Sequence, residues 1–249
     1  RERLAALQET MRAAPVDAAF LAALTTRLNA EFGAVPIRFR SSTNAEDLAG
    51  FTGTGLYESK TGEVGNPARP IEDAMRAVWA SVWNVRAYEE RDYVSIVHTD
   101  VAMAMLVYPS YTDETANGVA ITANVFDPGP GGEDAFYINV QLGETSVVQP
   151  PTSGVVADQL MYYFQYANQP ATYYQHSSLI PPGATVLSRA ELFELGQALD
   201  AVRAHFRDLY DPPEGYGQLP MDVEFKRVGA GEDAHIEVKQ ARLYPGRGA

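Results

Sequence analysis

The residues best suited to chemistry lie near the carboxyl end, where Asp222-Val223-Glu224-Phe225 and Val238-Lys239-Gln240-Ala241-Arg242 flank a Gly229-Ala230-Gly231 loop. Both segments alternate apolar and polar types and predict an antiparallel hairpin, Leu219 to Val228 with His235 to Leu243. With its loop centred on Glu232, Glu224 is expected opposite Gln240, Asp222 opposite Arg242, Val228 opposite Ile236 and Arg227 opposite Glu237. One face then carries two carboxylates, an amide oxygen and a guanidinium; the other carries Met221, Val223 and Phe225. Carboxylate and amide oxygens are hard ligands suited to Mg2+ on nucleotide phosphates, and a guanidinium beside them neutralises charge on a transferred phosphoryl group. The same pattern also describes a surface hairpin with ordinary cross-strand ion pairs, and spacing alone leaves both readings open.

A second candidate is Arg40-Ser41-Ser42-Thr43-Asn44-Ala45-Glu46-Asp47-Leu48. Ile37 to Arg40 alternates apolar and basic and predicts a short strand, while Thr43 and Glu46 have the spacing of a capping box opening a helical turn. Such a turn needs no ligand. Functionally, amides and hydroxyls at a helix start, with Arg40 at the strand end, receive phosphate oxygens. Downstream, Gly50-Phe51-Thr52-Gly53-Thr54-Gly55 is a loop that could lie over a polyphosphate, but it lacks the lysine of a P-loop.

These segments need elements to position them. Val16 to Phe32 predicts a helix with Phe20, Leu24 and Leu28 on one face, Asp17 at its start and Gly33 past its end. A second helix is expected from Pro70 to Tyr93, with Trp79 and Trp83 as core residues and Glu89, Glu90, Arg91 and Asp92 as a solvated face. Val101 to Tyr108, Gly118 to Phe126 and Ala135 to Leu142 read as an antiparallel meander, and Ala190 to Tyr210 as a third helix. The aromatic stretch Tyr162 to Tyr174 reads as packing, or as a stacking platform for a base, sugar or aromatic acceptor. Helices interleaved with antiparallel strands predict a single α+β domain over residues 1–249.

Bulk properties narrow the classes. A net charge of −13 with no dense basic run argues against nucleic acid as partner. No run approaches the roughly 18 apolar residues of a membrane span. Without cysteine there is neither disulfide nor thiolate metal site, which fits a cytoplasmic, reducing compartment. Acidic residues abound, but no pair stands out as the acid and base of a carboxylate-pair hydrolase. None of His98, His176, His205 or His235 sits in a phosphohistidine-like context.

Five segments resemble one family in order. Arg40 to Leu48 resembles the R-S-S-A-T-A-E-D-L signature of phosphoenolpyruvate synthases and rifampin phosphotransferases, and Asn117 to Thr122 their S-G-V-x-F-T strand. Gln141-Leu142-Gly143-Glu144 with Val147-Val148 is similar to G-L-G-E-x-V-V, Asp222 to Phe225 to D-I-E-W, and Val238 to Arg242 to V-Q-A-R-P. The resemblance, shared with pyruvate phosphate dikinases, implies an ATP-grasp fold with nucleotide between two α+β lobes. It implies that Arg40 and Arg242 act on ATP phosphates, that Glu224 and Gln240 hold Mg2+, and that Glu144 is a secondary nucleotide contact. It further implies phosphoryl transfer to a histidine on a separate carrier domain or protein.

The family's opening G-G-K-G-A-N-L-type segment, whose lysine reaches the phosphates, has no counterpart from Arg1 onward, so a fragment lacking that piece is expected. The hinge is replaced around Val107-Tyr108-Pro109-Ser110 and the closing proline by Leu243. These departures keep a second expectation alive, a non-catalytic nucleotide-binding or partner-binding scaffold.

Overall fold

In the computed structural model, which describes residues 1–249 except 49, 50, 54, 111, 112, 144, 146, 148–152, 245 and 247–249, the chain divides into two compact units, Arg1–Thr112 and Asp113–Ala249. The first contains α1 (Glu2–Ala13), α2 (Ala18–Phe32), β1 (Ile37–Thr43), β2 (Asp47–Leu48), β3 (Phe51–Thr52), β4 (Lys60–Gly62), α3 (Ile71–Ala80), α4 (Val85–Tyr93) and β5 (Met103–Pro109). Strand β1 is central in the antiparallel sheet β4-β1-β5 and turns Ile37 and Phe39 into a core with Met75 and Val78 of α3.

Helix α2 is capped as its sequence predicts: the Asp17 carboxylate accepts from the Phe20 amide at 2.7 Å, and Gly33 closes the helix at φ 71°. Its apolar stripe differs. Phe20 is 49% exposed, and Leu21, Leu24, Leu28 and Phe32 make the core contacts instead. Each four-residue step overshoots a helical turn by about 40°, so two such steps carry Phe20 off the buried face.

The helix expected from Pro70 to Tyr93 is interrupted by a 3-10 turn at Ser81–Trp83 and by Asn84, whose backbone is extended. Asn84 is committed to tertiary bonds, donating to the Leu56 carbonyl at 3.2 Å and accepting from Gln8 at 2.7 Å. Arg91, expected on a solvated face, is 0% exposed. It donates to the Tyr57 hydroxyl at 3.1 Å and the Val82 carbonyl at 2.6 Å, and Tyr57 donates onward to the Ala45 carbonyl at 3.0 Å. The break at Asn84 re-aims α4, and helical phase carried across it from α3 points Arg91 the wrong way.

The second unit holds β6 (Glu114–Ile121), β7 (Phe136–Leu142), β8 (Asp158–Tyr162), β9 (Ala171–Gln175), α5 (Arg189–Arg207), β10 (Met221–Val228) and β11 (His235–Leu243). Its six strands are all antiparallel, in the order β11-β10-β6-β7-β8-β9. The predicted three-strand meander is therefore not formed, because β5 pairs with β1 whereas β6 pairs with β7. Alternation identifies a strand but not its partner. Helix α5 opens with a capping box between Ser188 and Glu191 and covers one sheet face, packing Leu192, Leu195 and Leu199 near Ala120, Phe136, Ile138 and Phe225. The chain is thus α+β with mostly antiparallel sheet, and no helix among the described residues is long and apolar enough to cross a membrane.

Close strand contact explains one motif glycine. A Cβ at Gly118 would lie 2.4 Å from Phe225 Cζ and 2.6 Å from the Asn139 carbonyl. Gly118→Ala is expected to cost about 1–3 kcal/mol through overpacking, measured as a lower urea midpoint with unchanged m-value. An unchanged midpoint would mean that Phe225 turns aside freely.

Candidate functional site

Strand β10 buries Met221, Val223 and Phe225 under α5 and leaves Asp222, Glu224 and Lys226 on the opposite face at intermediate exposure. Asp222 stands opposite Arg242 and Glu224 opposite Gln240, as strand alternation predicts. The Arg242 guanidinium donates to one Asp222 oxygen through Nε at 2.9 Å and Nη2 at 2.7 Å, which holds its planar head in place.

Beyond Glu224 the expected register fails. A bulge between Glu224 and Phe225 places Val238 opposite Phe225, Ile236 opposite Arg227 and His235 opposite Val228. The uninterrupted ladder would put the Lys239 ammonium beside Phe225 in the core, at a large desolvation cost. Treating Lys239 as the extra residue removes that conflict and gives Val238 the core position. Lys239 then reaches the polar face, its Nζ 3.5 Å from a Glu224 carboxylate oxygen. Sequence reasoning assigned Lys239 no role, although a lysine due opposite a core phenylalanine was itself a signal of a bulge.

On β6 the same face turns apolar before it reaches β7. Glu224 pairs with Val119 of β6, which pairs with Asn139 of β7, while Asp222 pairs with Ile121, which pairs with Tyr137. Asn139 donates weakly to the Val147 carbonyl at 3.4 Å, and its buried Oδ1 has no hydrogen-bond partner among the described residues. Lys226 is ion-paired with Glu114. The motif residue Asn117 donates to the Gly143 and Thr145 carbonyls at 2.6 and 2.9 Å, fixing the chain that leaves β7. Glu144 lies outside the described residues.

Arg40 belongs to the first unit, on β1 opposite Leu106 of β5. It shares a strand face with Arg38, whose guanidinium donates to the Thr61 hydroxyl at 3.3 Å. The predicted helical turn does not start at Thr43. Strand β1 runs on through Ser41 and Ser42 to Thr43, and a turn leads directly into β2. The Thr43 hydroxyl accepts from the Ala45 amide at 3.2 Å, and Asn44 clamps the turn by accepting from the Ala102 amide at 2.9 Å and donating to the Asp100 carbonyl at 2.9 Å. A hydroxyl serving the amide two residues on favours a turn over a helix start. The Gly50 to Gly55 loop falls partly outside the described residues, and Phe51–Thr52 pairs with Asp47–Leu48 as β3.

The aromatic stretch divides between packing and surface, with Tyr166 and Tyr174 45% and 54% exposed. Tyr162 is buried in the α5 core, with Phe164 and Tyr173 against it, and burial raises the phenol pKa of Tyr162 and Tyr173. A cleft lined by Tyr162, Asn168, Tyr173 and Arg189 contains none of the predicted site residues.

Glu224 and Gln240 bring to the β10–β11 hairpin donor types that suit Mg2+. A carboxylate and an amide oxygen in register are hard donors, and Mg2+ usually takes one or two protein oxygens, keeping its remaining places for water and phosphate. Among the described residues no group of three or more His, Cys, Asp or Glu converges into a self-sufficient metal cage. A family model described as pyruvate phosphate dikinase, AMP/ATP-binding domain, matches residues 1–244.

Proposed function

The chain belongs to the pyruvate phosphate dikinase AMP/ATP-binding domain family, and from that premise we propose that it binds ATP as the magnesium complex and passes a phosphoryl group to a histidine on a separate carrier domain or protein. Its fold is ATP-grasp-like, and the family is one of nucleotide binding. The observation that carries the finer reading is the shared face of Glu224, Gln240, Asp222 and Arg242, since three residues that resemble family site positions, Glu224, Gln240 and Arg242, lie on it.

In this reading Glu224 and Gln240 hold Mg2+, which neutralises phosphate charge when bound. Arg242, fixed by Asp222, neutralises the transferred group, and Arg40 takes phosphate oxygens through the motif that it heads. Glu144 remains assigned to the nucleotide by its motif alone. The acceptor imidazole nitrogen attacks phosphorus as the bond to the bridging oxygen breaks, and the nucleotide departs with that electron pair. This chain supplies positioning and charge, with no covalent residue of its own.

Calorimetric titration of Mg·ATP into wild type and Glu224→Ala tests the assignment. About 10- to 100-fold weaker binding is expected for the variant, the scale of losing a charged contact; equal affinities would remove Glu224 from the site. One observation favours the alternative of a non-catalytic scaffold: the Lys239 ammonium already stands beside the Glu224 carboxylate. A scaffold would show no turnover with any histidine acceptor.

A further inference from the structure

We infer that Lys239 is an exchangeable counter-ion of the nucleotide site: it neutralises Glu224 while no nucleotide is bound, and it moves to phosphate oxygens when Mg·ATP arrives. The inference rests on the metal assignment of Glu224 proposed above and adds a residue to it.

Three features of the hairpin support it. The bulge between Glu224 and Phe225 falls where it releases Lys239 from the core face to the carboxylate face. The Lys239 and Glu224 side chains are 23% and 27% exposed, so solvent only partly screens their attraction. Their 3.5 Å separation exceeds a good hydrogen bond, whereas Arg242 holds Asp222 at 2.7 Å. Lys239 is thus an electrostatic neighbour on a flexible four-carbon stem, while Arg242 is locked. A divalent ion entering at Glu224 meets a positive charge already there, and a phosphate group entering with it offers that charge a better partner. Unaccompanied metal is therefore disfavoured, and metal with nucleotide is favoured.

Calorimetry with Mn2+ alone and with Mg·ATP, on wild type, Lys239→Gln, Lys239→Arg and Glu224→Gln, tests this. Lys239→Gln is expected to bind free Mn2+ about 5-fold more tightly, the upper range for removing one partner of a part-exposed pair. It should bind Mg·ATP about 10-fold more weakly, the loss of one charged phosphate contact. Lys239→Arg should stay near wild type in both. A merely structural lysine would weaken both affinities or neither, and either result overturns the inference. Should Glu224→Gln bind Mn2+ as wild type does, the metal assignment itself falls, whatever the Lys239 variants show.

Discussion

Replacing Arg242 with methionine is expected to slow phosphoryl transfer from ATP by about 10³-fold, the scale of removing an arginine that stabilises charge on a transferring phosphoryl group. The size follows from preorganisation. Arg242 Nε and Nη2 meet a single Asp222 oxygen at 2.9 and 2.7 Å, so the guanidinium is oriented before nucleotide arrives and the transition state bears little cost of ordering it. Asp222→Asn keeps an acceptor but removes the charge that holds the guanidinium, and a loss of about 10-fold is expected, since a neutral acceptor bonds roughly half as strongly. Lysine at position 242 supplies charge without the planar fork and should rescue little. The measurement is ATP-dependent labelling of an acceptor histidine, with nucleotide consumption followed alongside. Full activity in Arg242→Met would strike the residue from the chemistry. Folding should change by no more than about 1 kcal/mol, because the ion pair is partly exposed.

The largest effect on stability is expected from Asp134→Ala, a loss of about 3–5 kcal/mol. Arg203 on α5 is only 7% exposed; it donates to both Asp134 oxygens at 2.6 and 3.1 Å, to Asp200 at 3.2 Å and to the Thr122 carbonyl at 3.3 Å, with its guanidinium over the Phe136 ring. Removing Asp134 leaves a buried cation with one carboxylate that is itself 41% exposed, and desolvation goes largely uncompensated. The double variant Asp134→Ala with Arg203→Met should recover much of the loss, since a buried pair exchanged for apolar contacts is often neutral. Urea unfolding followed by circular dichroism reads both effects. A single-variant loss below about 1 kcal/mol would show that water reaches Arg203 and replaces its partner.

How legible the site was depends on the distance over which each determinant acts. Alternation identifies β10 and β11, and their loop sets Asp222 against Arg242 and Glu224 against Gln240, because hairpin pairing is local in the chain. It misplaces Arg227 and Val228, since the bulge inserts Lys239 as an extra residue in β11 and shifts every later pair, a shift that only the lysine due opposite Phe225 announced. Arg91 illustrates the opposite limit. Its neighbours Glu89, Glu90 and Asp92 mark a solvated face, yet it is fully buried against Tyr57, 34 residues earlier, and no periodicity within α4 encodes that partner.

By itself, the sequence of this protein determined helices α2 and α5, the strands of its last hairpin and their polar face, its α+β class and the family of its five ordered motifs. Propensity, caps and alternation act within a few residues, and chemical type survives in the chain whatever its partners. Only the tertiary structure decided that β5 leaves β6 to pair with β1, that Thr43 starts no helix, that Arg91 is interior and that Lys239 stands beside Glu224. Each of those depends on which distant surface is buried, and burial is a property of the whole packed unit rather than of any segment.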